Sequence, residues 1–371
     1  MCNAFGIVNF AGSNIHVEGM QDHRPIGAFS FLGRYRTIDF PISNMSNSGI
    51  NHIEVFVKRN PRSLTEHLGT GRHYNINSKR GKLHILYTDD KLQSDLYNHD
   101  VSAFMYNMEC IEKVPYPYVI IAPSYMVYSM DYSKLLEKHL ESGADITILY
   151  QNVDTAKDEF MNCNVLNLNK QKGVLSIERN RGTAKNRNIS LDTYVMSKEL
   201  FMELVKKAAK FSSMYTLRDI IDDECSELDI RGIAHHGYVA AISDFKSYYD
   251  ANMRLIDYET AQDLFAPDWP IYTRTNDSSP TQYYETSNVK KSVVSNGCEI
   301  EGTIENSVIG RGCIIKKGAV VKNCVILPGA TIGEDVHVEN AVVDKQAKIV
   351  RVKEVVAKVE EPAYVGRGDI L

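Results

Sequence analysis

The chain has 371 residues, enough for two domains of ordinary size rather than one small core. Hydrophobic residues make up 43% and charged residues 24%, the balance of a folded globular protein rather than a disordered or membrane-embedded one. With 42 basic and 47 acidic residues the net charge is −5, which removes the electrostatic argument for a dedicated nucleic-acid binder.

No apolar run approaches the roughly 20 residues needed to cross a bilayer, and residues 1–10 lack the basic region and apolar core of a signal peptide. A cytoplasmic location without membrane contact is therefore expected. The 7 cysteines are widely spaced and form no C-x-x-C pair, so reduced and mostly buried thiols are expected rather than a zinc site or disulfide framework.

In chain order, short apolar runs at residues 5–10, 53–57, 119–122, 146–150 and 233–242 read as strands, several of them apolar on both faces as a covered parallel sheet requires. Amphipathic helices lie between them. One carries Leu135, Leu136, His139 and Leu140 and stops at Gly143, which has the position of a C-terminal cap. Another begins near Ser197 and carries Leu200, Phe201, Leu204 and Val205 on one face; a third begins at Thr216, with Asp219 as its capping partner. Alternating strands and helices predict a layered, Rossmann-like α/β domain over residues 1–245 with a mostly parallel sheet. Residues 246–287, helical at first and then carrying Pro267, Pro270 and Pro280, read as a connector.

Over residues 288–371 the pattern changes. Steps of six from Val308 give Ile314, Val320, Ile326, Ile332 and Val338, and Gly312, Gly318, Cys324 and Ala330 place a small residue four positions after successive members. Val294 and Ile300 form an earlier pair in the same rhythm. Neither a helix nor an ordinary strand selects one position in six. A parallel β-helix of hexapeptide repeats does, with one aliphatic residue per short strand expected to point inward.

An α/β domain binds ligands beyond the carboxyl ends of its strands, so the turn after the first strand is the first place to look. Residues 9–14 (NFAGSN) offer one glycine and no nearby cation before Arg24, a poor cradle for phosphate. The segment 34–50 (RYRTIDFPISNMSNSGI), taken with the β-helix, closely resembles the ADP-glucose pyrophosphorylase (glucose-1-phosphate adenylyltransferase) family. Further matches are LTEHLG at 64–69, Met130-Asp131-Tyr132, YYDANM at 248–253 and WPIYT at 269–273. The resemblance implies a nucleotidyltransferase domain joined to a left-handed β-helix. It also implies transfer of an adenylyl group from ATP to glucose 1-phosphate with Mg²⁺.

The match breaks down at the positions that carry this chemistry. The family's G-G-x-G-x-R-L start corresponds to the depleted turn at 10–14, and its base-recognition stretch G-T-A-D-A is not recognisable near residues 100–104. The metal-binding Asp of G-D-H-x-Y-x-M-D-Y corresponds to Tyr125, and that of G-Y-W-R-D-V-G-T to Ala241. Hard cations need oxygen ligands, and phosphoryl transfer depends on neutralising the charge that builds on phosphate oxygens. Recruitment of Asp131 or Asp244 would be needed to restore them. No catalytic residue and no metal or other cofactor is therefore assigned to this chain, Mg²⁺ being expected in a catalytic partner. The resemblance implies the regulatory type of subunit in bacterial glycogen synthesis. Such a subunit assembles with a catalytic paralogue, in an expected heterotetramer, and alters its activity.

Two basic regions remain as candidate binding sites. The family's F-V-E-K-P, whose Lys contacts glucose 1-phosphate, becomes Ser176-Ile177-Glu178-Arg179-Asn180, so Glu178 and Arg179 are sugar-phosphate candidates beside Arg181, Lys185 and Arg187. A solvated loop is the alternative. Arg34 matches a basic position in the family's activator region, and Arg34, Arg36, Lys58, Arg59 and Arg62 suit a sugar-phosphate effector or, equally, acids at a subunit interface. Two other functions are retained as alternatives: an active nucleotidyltransferase using other ligands, and a hexapeptide acyltransferase with His337 as base. His235-His236 lacks a partner at metal-ligand spacing, and Trp269 reads as an anchor for the connector.

Overall fold

A computed structural model describes residues 2–76, 81–88, 99–212 and 214–371. At its centre the strand Ala4–Asn9 runs parallel to Tyr118–Pro123 on one side and to His52–Val57 on the other, and His52–Val57 pairs in parallel with Lys82–Tyr87 at the sheet edge. Helix Asp39–Asn47 lies directly on this sheet, because Gly6 has no side chain to hold it off; a Cβ there would stand 2.4 Å from Met45 Sδ.

Beyond Tyr118–Pro123 the sheet becomes antiparallel. The long strand Arg187–Ser197 pairs with it and with Ile146–Val153, which carries Ile230–Ala234 in parallel; the hairpin Asn164–Leu168 and Val174–Arg179 joins the far end. The nine-stranded sheet is therefore mixed. The single strand expected over 233–242 is two. Ile230–Ala234 stays in the main sheet; the chain then turns at Gly237, with φ 116°, and Val239–Ala241 pairs with Met126–Tyr128 in a small second sheet. Glycine supplies the left-handed backbone that this change of sheet requires.

The helix signals hold at the level of caps. Asp131 accepts from the Ser133 and Lys134 amides at the start of Tyr132–Ser142, and Gly143 ends it at φ 65°. Ser197 caps Lys198–Phe211, and Thr216 with Asp219 forms a capping box on Leu217–Asp223. Leu140, read as part of a buried face, is exposed, while Tyr132 is buried in its place.

The C-terminal region is a β-helix of three five-stranded parallel sheets. Its central coils are 17 residues long, seen in the ladder that runs from Asn306 to Asn323 and from Asn323 to Asn340, whereas Val293 pairs with Val308 15 residues on and Ala341 with Ala363 22 residues on. A strict count of six gives 18 per coil and drifts out of phase. Ile315 and Val321, not Ile314 and Val320, fill the core, and Val320 is exposed. The short step occurs at a corner where Asn306, Asn323 and Asn340 take φ 45°, 50° and 53°, each amide bonding to the next coil. Asparagine tolerates left-handed backbone and satisfies itself along the stack, so it replaces the small residue.

On one face of the β-helix Val308, Val325 and Val342, stacked 17 residues apart, point away from its interior and pack in the α/β core. Arg24 and Asp344, both buried, pair across the same junction at 2.6 and 2.7 Å, with the Tyr364 hydroxyl donating to Asp344 at 2.7 Å. The segment 246–287 takes part in both units. Helix Phe245–Arg254 packs in the α/β core through Tyr248 and Tyr249, and Gln282–Tyr283 already pairs with the coil strand Glu299–Ile300. Trp269 Nε1 donates to Asn44 at 2.9 Å and holds the intervening stretch against helix Asp39–Asn47. All 7 cysteines are free thiols, and no helix of the described residues is long and apolar enough to cross a membrane.

Candidate functional site

The strands Ala4–Asn9 and Tyr118–Pro123 end side by side, stitched by the Ser124 amide to the Asn9 carbonyl at 2.8 Å. Beyond their carboxyl ends opens a cleft of about 930 Å³, where such a sheet is expected to bind ligands. One wall is the turn at 10–14, tied down by Asn14 Nδ2 to the Asn162 carbonyl at 2.8 Å. The turn contains no cation. Lys58 stands over the Phe10 ring at 6.0 Å, so this residue, grouped by its sequence position with Arg34, belongs on the cleft side.

Tyr125, just after Tyr118–Pro123, also lines the cleft and is 3% exposed, its hydroxyl donating to Asp192 Oδ2 at 2.5 Å. Asn164 Nδ2 donates to Asp192 Oδ1 at 2.8 Å, and Asp192 sits at φ 45° in the bulge between Ser190 and Thr193. Burial raises the Asp192 carboxyl pKa against the lowering effect of these hydrogen bonds, and burial followed by the nearby Asp192 charge drives the Tyr125 phenol well up. Asp100, also in the cleft, accepts from Asn9 Nδ2 at 3.1 Å and from the Val101 and Leu217 amides at 2.8 and 3.1 Å; burial raises its pKa. Asp219 is engaged in its capping box.

Ala241 lies on the neighbouring strand. It pairs with Met126, and the next amide, Ile242, donates to the Tyr125 carbonyl at 2.9 Å. The two positions inferred from the family motifs are thus brought together, but their side chains line separate hollows. Neither a phenol nor a methyl group supplies the anionic oxygens that Mg²⁺ prefers, so these two positions do not fit the ion. Asp131 and Asp244, the residues considered as substitutes, instead cap the helices that follow them.

Arg179 lines both the main cleft and an adjoining open hollow of about 900 Å³, shared with Arg181, Arg187 and Arg218. Burial, then the charges of Arg218 and Arg181, pulls its guanidinium pKa down. Glu178 lines the same open hollow and accepts from Arg187 at 2.8 Å. Arg218 escaped the sequence reading. Its only local signal is its place two residues after the Thr216 cap, which turns it toward the hairpin.

Arg34 and Arg36 line a third hollow, about 1220 Å³, at the junction of the two domains. Its other cations, Arg274, Arg311, Lys345 and Arg367, come from the connector and three coils and were not foreseen. Burial, reinforced by Arg36, Arg24 and Arg367, pushes the Lys345 ammonium down to about 7. Arg59 and Arg62 do not line this hollow; both are exposed, and Arg62 pairs with Glu66 at 2.8 Å within its own helix. His235 is buried beside the Tyr128 ring, and His337 lies beside Glu339 at 3.3 Å.

Residues 22–256 match the model of the nucleotidyl transferase family, and residues 279–363 match that of the GlmU-like C-terminal hexapeptide. The chain is 30% identical over 346 residues to a glucose-1-phosphate adenylyltransferase of Fervidobacterium nodosum, covering 92% of this chain and 83% of that protein. It is 29% identical to the glycogen biosynthesis protein GlgD of Bacillus subtilis, covering 98% and 95%, and 33% identical to GlgD of Geobacillus stearothermophilus, covering 82% and 79%.

Proposed function

The chain belongs to the ADP-glucose pyrophosphorylase family of glycogen synthesis, and from that premise we propose that it is a regulatory subunit with little or no turnover of its own. In this reading it assembles with a catalytic paralogue, in a heterotetramer, and changes that partner's activity and response to effectors. The observation that carries the proposal is Tyr125. It stands where the family motif has a metal carboxylate and engages Asp192, a carboxylate lining the same cleft, in a hydrogen bond. Ala241 on the adjoining strand supports it, as does a phosphate turn without glycine-rich backbone or a cation of its own. Loss of one electrostatic element commonly costs about 10²–10³ in rate, and several are replaced here at once.

The junction hollow is assigned to an effector bearing phosphate. Six cations around it, contributed by both domains, would let a bound anion act on how the domains sit together. Arg179, Arg181, Arg187 and Arg218 similarly suit a sugar phosphate held without reaction.

A second reading, an active nucleotidyltransferase with altered metal ligands, is favoured by Asp100 and Asp192, whose carboxyl groups line the cleft. One experiment separates the two. The purified chain is incubated with ATP, glucose 1-phosphate and Mg²⁺, alone and with a catalytic paralogue, and pyrophosphate release is followed. The regulatory reading expects no release from the chain alone and an altered activation curve for the mixture. Appreciable ADP-glucose from the chain alone would establish the second reading instead.

A further inference from the structure

At the sheet edge, at the opposite ends of the strands from the cleft, three side chains converge. Strand periodicity places His52 and Glu54 on one face of His52–Val57, and the parallel register sets Glu54 opposite His84 of Lys82–Tyr87. His52 Nε2 lies 2.7 Å and His84 Nδ1 3.2 Å from the same oxygen, Glu54 Oε1. The ligand atoms of all three residues lie within 4.8 Å of one another.

Glu54 is 1% exposed, and its second oxygen, Oε2, is buried with no hydrogen-bond partner among the described residues. A buried carboxylate is normally satisfied at both oxygens. Here two imidazoles crowd one oxygen and leave the other empty-handed, an incomplete network as hydrogen bonding but a suitable one for a cation. The rings are also held in place. Phe5 and Tyr116 each stand 6.3 Å from the His52 ring, and His52 meets His84 edge-on at 5.7 Å.

We propose that His52, Glu54 and His84 form a binding site for a zinc-class divalent cation. Two imidazoles and one carboxylate favour zinc over Mg²⁺ or Ca²⁺, which take oxygen ligands. Tetrahedral zinc with bonds near 2.0–2.1 Å separates its ligands by about 3.3 Å, so the His84–Glu54 contact already has the required spacing, the His52–Glu54 contact opens slightly, and the two imidazole nitrogens, within 4.8 Å, adjust around the ion. The His84 side chain is 44% exposed, which leaves the fourth position to water. The ion would tie the outermost strand to its neighbour, far from the cleft and independent of the regulatory reading.

The test titrates zinc into the full chain against a chromophoric chelator, and cobalt(II) as a spectroscopic probe. One equivalent of zinc is expected per chain, with cobalt d–d bands of four-coordinate intensity and no thiolate charge-transfer band. His84→Ala, at the exposed edge, should weaken zinc binding at least tenfold without unfolding the protein; Glu54→Gln should do the same. The absence of saturable binding, equal affinity in wild type and His84→Ala, or a thiolate band from one of the cysteines would each overturn the proposal.

Discussion

The Tyr125 hydroxyl donates to Asp192 Oδ2 across 2.5 Å, joining the end of a central parallel strand to a bulge 67 residues later. In the regulatory reading, Tyr125 stands where the family motif has a metal carboxylate, and this contact ties it to a carboxylate that lines the same cleft. Tyr125→Asp combined with Ala241→Asp should therefore place carboxylates at both positions matched to the family's metal motifs. With a glycine-rich turn rebuilt at 10–14, Mg²⁺-dependent pyrophosphate release should rise from background to a measurable rate. Release by the unaltered chain, or none from the rebuilt one, would mean that the metal positions have been misassigned.

At the junction hollow, Lys345 near 7 is partly deprotonated at neutral pH because burial and neighbouring arginines disfavour its charge. A bound phosphate supplies the missing counter-charge, so binding takes up a proton. The affinity for a sugar phosphate should fall as pH rises from 7 to 9, where the ligand's own charge is nearly constant. Calorimetry in buffers of different ionisation heat would detect the uptake. Lys345→Met should abolish it, whereas an unchanged uptake in that variant would place the proton elsewhere. Arg34→Ala should also weaken the response of the mixed complex; an unchanged response would favour a subunit contact.

His235 is lowered from 6.5 to about 4, first by burial and then by His236. The folded chain therefore binds this proton less readily than the unfolded chain. Its contribution to stability is complete above pH 6.5 and is lost as pH falls toward 4. The full effect is roughly 3 kcal/mol at most. His235→Phe should resist acid over this window in urea titrations. If variant and wild type lose stability in parallel, the imidazole ionises in the fold without penalty.

The coil phase is open to a paired test. Ile315→Ala should cost about 2–4 kcal/mol, as for a large side chain removed from a packed core. Val320→Thr, on the exposed side of its strand, should change stability by less than about 0.5 kcal/mol. Comparable losses from the two would contradict the 17-residue coil.

The junction shows why the candidate site was only partly legible. Arg34 and Arg36 could be marked from their motif, yet Arg274, Arg311, Lys345 and Arg367 reach the same hollow from distant segments with no shared spacing. Lys58 is separated from Arg36 by a helix and a strand, and its side chain stands over Phe10 instead of lining the junction hollow. Arg218 reaches the sugar-phosphate hollow only because its helix packs beside the hairpin that carries Arg179.

What the amino-acid sequence determined by itself is what neighbouring residues decide among themselves. The Thr216–Asp219 box, the Asp131 cap, the Gly143 stop and the aliphatic rhythm of the C-terminal region are set by local sterics, hydrogen bonding and periodicity. The absence of carboxylates at 125 and 241 is likewise a matter of residue identity. Tertiary structure alone decided that Tyr125 would hold Asp192, that the Asn306–Asn323–Asn340 ladder would shorten the central coils, and that Val308, Val325 and Val342 would face the other domain. Those outcomes depend on which distant surfaces the sheet order and the coil stack bring into contact. Sequence spacing does not encode that proximity, because closing the intervening chain is a property of the whole fold.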